Sequence, residues 1–152
     1  MRTLHIFIAG LVLGGVVVGG LGSVSAQPER RAINLPGRTT QAPFSDAVLA
    51  GDTLYLSGRL GMDPETGQPP TEPRQEARNV LDGIKSVLEE AGMTMDDLVS
   101  VQVFCSDVAH YADFNAVYTS YFTSDPPARA FVGSGALLRG ARFEVMGVAV
   151  RR

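Results

Sequence analysis

Arg129 and Glu144 are the two side chains whose type and setting point to chemistry. Arg129 follows Pro126-Pro127-Ala128, where two prolines end a helical segment by withholding backbone N–H groups, and it opens an extended run over residues 130–134. Its guanidinium is planar and carries five donors, which suits bidentate capture of a carboxylate. Taken alone, an exposed arginine after a turn is the plainer account. Glu144 lies within Arg142-Phe143-Glu144-Val145-Met146-Gly147-Val148-Ala149-Val150. This reads as a strand with Phe143, Val145, Gly147 and Ala149 on one face and Glu144, Met146, Val148 and Val150 on the other. Both faces are apolar and both need cover, so a carboxylate there is costly unless it is paired or used. Pairing with Arg142 or Arg139 is one outlet. Holding or passing a proton is the other.

The remaining inventory narrows the chemistry. Cys105 is the lone cysteine, and His5 and His110 are the only histidines, so His and Cys cannot assemble a metal site and no internal disulfide can form. Ser57 has no His–acid pair to activate it as a nucleophile. Asp63 and Glu65 sit in Asp63-Pro64-Glu65-Thr66-Gly67, whose residues are turn formers first. Phe114, Val117, Tyr118 and Tyr121 share a helical stripe, which reads as core because no Gly-rich phosphate loop accompanies it. The chain carries 13 basic and 16 acidic residues, and twelve against sixteen beyond residue 26, so phosphate-rich partners such as nucleic acid are disfavoured.

These groups need a scaffold, and 152 residues suffice for one domain. Residues 1–26 read as a secretory signal: Arg2 gives a basic start, residues 4–21 are apolar, and Val24-Ser25-Ala26 supplies the small residues of a cleavage site. An uncleaved anchor is the competing reading, with Gly10, Gly14, Gly15 and Gly19 as a packing face. Either way the folded part is expected outside the cytoplasm, periplasmic or secreted, with no stable membrane association once the signal is removed. Residues 27–43 lack periodicity and are expected as an extended arm, leaving residues 44–152 as the domain.

Within it, residues 47–50 and 53–57 form a hairpin about Gly51-Asp52. Thr71 is a plausible N-cap for a helix carrying Ala77, Val80, Leu81, Ile84, Leu88 and Ala91 at helical spacing, with Gly92 placed to stop it. Residues 98–105 form a strand, residues 111–122 a second helix, and two strands close the chain. The order strand, strand, helix, strand, helix, strand, strand argues an α+β domain: one mixed sheet with both helices on a single face. The other face has no helix left to cover it, so an obligate oligomer is predicted.

The run Pro127-Ala128-Arg129, followed by Gly140-Ala141-Arg142-Phe143-Glu144-Val145 and closed by Val148-Ala149-Val150, resembles the closing signature of the Rid (RidA/YjgF-like) family of enamine/imine deaminases. The likeness extends back to about Pro43. It implies the chorismate-mutase-like Rid fold, a homotrimer, and active sites in clefts between subunits, with no cofactor and a small 2-imino or 2-keto carboxylic acid as ligand. By the same resemblance Arg129 binds the substrate carboxylate and Glu144 orients and activates water. Ser57 and Gly58 lie in the cleft, Asn115 lines it, and the backbone of Phe131 contacts the ligand. Arg129 and Glu144 are thus expected to converge across neighbouring strands on one pocket shared between protomers. There are departures. Phe44 stands where the family's deaminases commonly have tyrosine, Phe131 where a smaller residue is frequent, Leu138 for a usual proline and Met146 for a frequent second glutamate. A non-catalytic ligand-binding or chaperone-like protein on the same scaffold is the alternative that these departures motivate.

Overall fold

The computed structural model describes residues 29–38 and 42–152; the signal assigned to residues 1–26, and the choice between cleavage and anchoring, lie outside the described residues. Among those described, no helix is long and apolar enough to cross a membrane. The strands are β1 (Arg30–Ile33), β2 (Ala47–Ala50), β3 (Thr53–Leu60), β4 (Leu98–Cys105), β5 (Ala128–Gly133) and β6 (Phe143–Val150), and the helices are α1 (Pro73–Glu90) and α2 (Tyr111–Tyr118). The six strands form one sheet in the order β1-β2-β3-β6-β4-β5. All neighbours are antiparallel except β4 and β5, which run parallel because α2 carries the chain back across the sheet between them.

Local sequence explains most boundaries. Ala50 pairs with Thr53 across Gly51-Asp52, and Gly51 takes φ 59°, the left-handed geometry of a two-residue hairpin. α1 begins with Pro73 in its first turn, where the missing N–H costs nothing, and the chain leaves it at Gly92, φ 72°. Its N-cap is Glu72 rather than Thr71 and makes no side-chain cap; the Thr71 carbonyl instead accepts from Arg142 Nη2. The second helix keeps α geometry only to Tyr118 and finishes in a 3₁₀ turn, Thr119–Tyr121.

The arm is the main departure from expectation. Part of it is an edge strand: β1 pairs with β2 in full register and buries Ile33, making six strands where five were expected. Asp46 fastens the loop between β1 and β2, accepting from Leu35 N at 2.9 Å and pairing with Arg38 at 3.3 Å and Arg59 at 3.6 Å.

Both helices lie on one face of the sheet. There β6 contributes Phe143, Val145, Gly147 and Ala149, all buried, against Val80, Leu81, Ile84, Leu88 and Phe114. Phe114 meets the Phe143 ring at 5.0 Å, and truncating such a residue typically costs about 3–5 kcal/mol. On the opposite face Glu144, Met146 and Val148 are only half-buried, and Tyr55 and Val132 are 53% and 44% exposed.

Candidate functional site

Arg129 stands on β5, the sheet's other edge, and points to the helix face. Four aromatic rings surround its guanidinium: Tyr118 at 4.4 Å, and Tyr111, Phe114 and Phe131 each at 5.9 Å. Nη2 donates to Asn115 Oδ1 at 2.7 Å, while Nη1 is buried without a hydrogen-bond partner. No acidic side chain pairs with Arg129 among the described residues. Ring faces stabilise a cation but accept no conventional hydrogen bond, so this side chain is held in place and left short of an anion. It opens on a cleft of about 580 Å³ shared with Asn115, Thr119, Phe122, Ser124, Pro126 and Pro127. Burial pushes the Tyr118 hydroxyl up to about 12, with the Arg129 charge pulling the other way; that hydroxyl too lacks a partner.

Glu144 belongs to the uncovered face. Opposite it, the β3–β6 register slips: Leu56 pairs with Gly147 and Arg59 with Val145, so Ser57 and Gly58 together oppose Met146 alone. This β-bulge brings bare backbone toward the carboxylate. A Cβ at Gly58 would lie 3.1 Å from Glu144 Cδ and closer still to Oε1, so only glycine leaves Glu144 its place. The Ser57 hydroxyl donates to Ser45 O at 2.7 Å, which ties the bulge to the loop between β1 and β2. Phe44 and Ser57 line a second cleft of about 680 Å³ with Arg30, Asn34, Arg38 and Val48, and the Arg38 guanidinium lies 5.1 Å from the Phe44 ring centroid.

The expected residues therefore fall into two groups: Arg129, Asn115 and Phe131 on the helix face, and Glu144, Gly58, Ser57 and Phe44 on the other. The expectation that Arg129 and Glu144 sit on neighbouring strands is corrected, because β4 separates β5 from β6. Within one chain they do not share a pocket. Arg129 pairs with Val101 and Val101 with Gly147, and Gly147 is three residues from Glu144; an odd step along a strand reverses the face. Asn115 spends its amide oxygen on Arg129, so it holds the guanidinium as well as lining the cleft. The Phe131 ring packs edge-on to Tyr111 at 5.0 Å and Phe114 at 5.6 Å.

Arg142 does not pair with Glu144. It meets Glu76 Oε2 at 2.7 Å, and Glu76 is fully buried. Sequence reasoning passed over Glu76, although it precedes Val80, Ile84 and Leu88 at steps of four and so lies on the apolar stripe of α1. Among the described residues, no three His, Cys, Asp or Glu side chains gather as a metal site would require.

One mixed sheet backed by two helices, with a caged arginine on an edge strand and a bulge beneath a carboxylate on the central one, defines a class of small α+β protein. A profile described as Endoribonuclease L-PSP matches residues 36–151, and the chain belongs to that family, the Rid (RidA/YjgF-like) proteins. The 2-iminobutanoate/2-iminopropanoate deaminase of Bos taurus is 40% identical over 110 residues, covering 72% of this chain and 80% of the relative. A RutC family protein of Sulfurisphaera tokodaii is 38% identical over 104 residues, 68% of this chain and 83% of its own. Among solved structures, the YjgF gene product of E. coli superposes with TM-score 0.74 at 31% identity, over 80% of this chain and 99% of that one. E. coli TdcF, solved with bound serine, gives TM-score 0.74 at 27% identity over the same shares.

Proposed function

We propose that this protein hydrolyses small 2-imino acids, formed by tautomerisation of enamine acids, to 2-keto acids and ammonia. The observation that carries the reading is the half-buried guanidinium of Arg129, which has no counter-ion among the described residues and whose buried Nη1 finds no acceptor among them. A substrate carboxylate supplies what it lacks, in a charged hydrogen bond worth about 1.5–3 kcal/mol. The deaminase name carried by relatives at 40% identity supports the same chemistry.

In the reaction, water adds to the imine carbon, which is already electrophilic once its nitrogen is protonated. Glu144 takes a proton from that water as the C–O bond forms. The carbinolamine then collapses: Glu144 returns its proton to the nitrogen, the C–N bond breaks and ammonia leaves, and the hydroxyl proton passes back to the Glu144 carboxylate as the C=O of the keto acid forms. Arg129 fixes the carboxylate end, and the backbone at Gly58 and Phe131 flanks the imine nitrogen.

The two groups act together only across subunits. We therefore include a homotrimer in the proposal, the helix-face half of one copy meeting the open-face half of the next. The opposite orientation of Arg129 and Glu144 and the uncovered apolar face both support it. Export after cleavage at Ala26 belongs to the same proposal; protein recovered outside the cytoplasm is expected to start at Gln27.

Keto-acid release from freshly generated 2-iminopropanoate and 2-iminobutanoate tests the activity. Turnover is expected in the wild type and is lost in Arg129→Ala and in Glu144→Ala; wild-type rates in either variant sink the assignment. Mixing and refolding the two inactive variants together is expected to restore activity, because some interfaces then pair an intact Arg129 with an intact Glu144. The missing hydroxyl at Phe44 favours one second reading, a binding protein without turnover. Calorimetry with pyruvate and 2-ketobutyrate beside the assay separates the two.

A further inference from the structure

We infer that Glu76 is a positioning residue for Glu144, an inference that rests on the proposed hydrolysis. Glu76 lies in the first turns of α1, is wholly buried, and touches neither cleft. Its Oε1 accepts from two successive backbone N–H groups, Arg142 at 2.6 Å and Phe143 at 3.1 Å. These N–H groups belong to the two residues immediately before Glu144. Its Oε2 meets Arg142 Nη1 at 2.7 Å, and the same nitrogen donates to Pro70 O at 2.8 Å. Glu76 also packs against the residue after β3: a Cβ on Gly61 would lie 2.8 Å from Glu76 Cγ and closer still to its carbonyl oxygen. Gly61 follows Leu60, and Leu60 is the cross-strand partner of Glu144. The Glu76 side chain thus holds the chain just ahead of the carboxylate, and the same residue lies close against the position just beyond the residue facing it.

Stability alone does not account for a carboxylate in this position. A buried ion pair is on balance no more stabilising than well-packed apolar residues, since desolvation opposes the attraction. What the arrangement supplies is placement. Two N–H groups held by one oxygen fix the Ala141–Arg142 and Arg142–Phe143 peptide planes, so that Phe143 alone separates the fixed backbone from Glu144 and the direction of its Cα–Cβ bond over Gly58. A general base displaced by about 1 Å can lose on the order of 100-fold in rate.

The test compares Glu76→Gln, Glu76→Asp and Glu76→Leu with the wild type in imine hydrolysis, thermal melting and pyruvate binding. Gln keeps an oxygen for both N–H groups but loses the ion pair, so it is expected to melt lower while kcat stays within about threefold. Asp draws the carboxylate back by one methylene, and Leu removes the acceptor at similar volume. Both are expected to lower kcat about 10- to 100-fold with KM and pyruvate affinity little changed, because the Arg129 side is untouched. If the Leu variant does not fold, Asp against Gln still decides. The inference is overturned if the wild type is active and kcat is unchanged in Asp, or if loss of rate merely follows loss of melting temperature across the series. An inactive wild type overturns the hydrolysis reading and this inference with it.

Discussion

Arg129 and Glu144 are charged groups on one sheet, yet their surroundings are built by opposite rules. Around Arg129 the protein adds material: four rings, an amide oxygen and a wall of prolines, all on the face that the helices close. Around Glu144 it takes material away: a glycine without a side chain, a bulge that breaks the ladder, and a face that no helix covers. The first half is finished within one chain and ready to hold an anion. The second half is shaped to be finished by something else. In the proposed trimer, a site divided in this way makes ligand capture a property of the folded chain and catalysis a property of the assembly.

The largest effect is expected from Arg129→Ala. Losing the charged contact to the ligand carboxylate should lower kcat/KM by about 100-fold, and pyruvate binding by a similar factor, as steady-state kinetics and calorimetry can show. Gly58→Ala strikes the other half. Its Cβ displaces the Glu144 carboxylate, so kcat is expected to fall about 10- to 100-fold while pyruvate affinity stays close to wild type; a parallel loss of affinity would mean that the halves are not separable. Asn115→Asp offers Arg129 the counter-ion it lacks. An internal carboxylate then competes with the ligand's, and KM should rise about tenfold with kcat nearly constant.

Tyr118→Phe should matter least. It removes a hydroxyl that has no partner, so stability in urea should change by no more than about 1 kcal/mol, most naturally upward. The same residue sets an alkaline limit. Its folded pKa is raised to about 12 by burial, above the ordinary tyrosine value near 10. Folding therefore favours the protonated hydroxyl, a contribution fully present below about pH 10 and lost as pH rises from there toward 12. Melting temperatures across that window should fall less steeply in Tyr118→Phe than in the wild type, with Tyr121, whose hydroxyl is likewise raised by burial and by Asp82, sustaining part of the decline.

Much of the scaffold is legible because hydrophobic period and turn chemistry agree. The boundaries of β4, the Gly51-Asp52 hairpin, the stop at Gly92 and the two-faced β6 all come from residue types read in a line. β1 is not legible that way: Arg30 and Arg31 give no alternation, and the strand exists because β2 offers it an edge and Asp46 holds the loop behind it. The bulge at Ser57-Gly58 depends on the register of a partner about ninety residues away in the chain. The division of the site is hidden for the same reason. Alternation shows that Glu144 and Val145 face opposite ways, but comparing Arg129 with Glu144 requires knowing that β4 lies between their strands. Glu76 was within reach, since a carboxylate on an apolar helical stripe asks for a partner, and its distance from Arg142 in sequence concealed which partner that was.

Cys105 closes β4 directly across from Phe143, wholly buried, with its thiol directed to the Asp107 carbonyl at 3.0 Å. Burial also raises its pKa, so the reactive thiolate is scarce as well as sealed away. A thiol reagent can reach it only when the strands that meet there part. The labelling rate at this one sulfur therefore serves as a clock for how often this end of the β4–β6 pair opens, with no cysteine to be engineered in to read it.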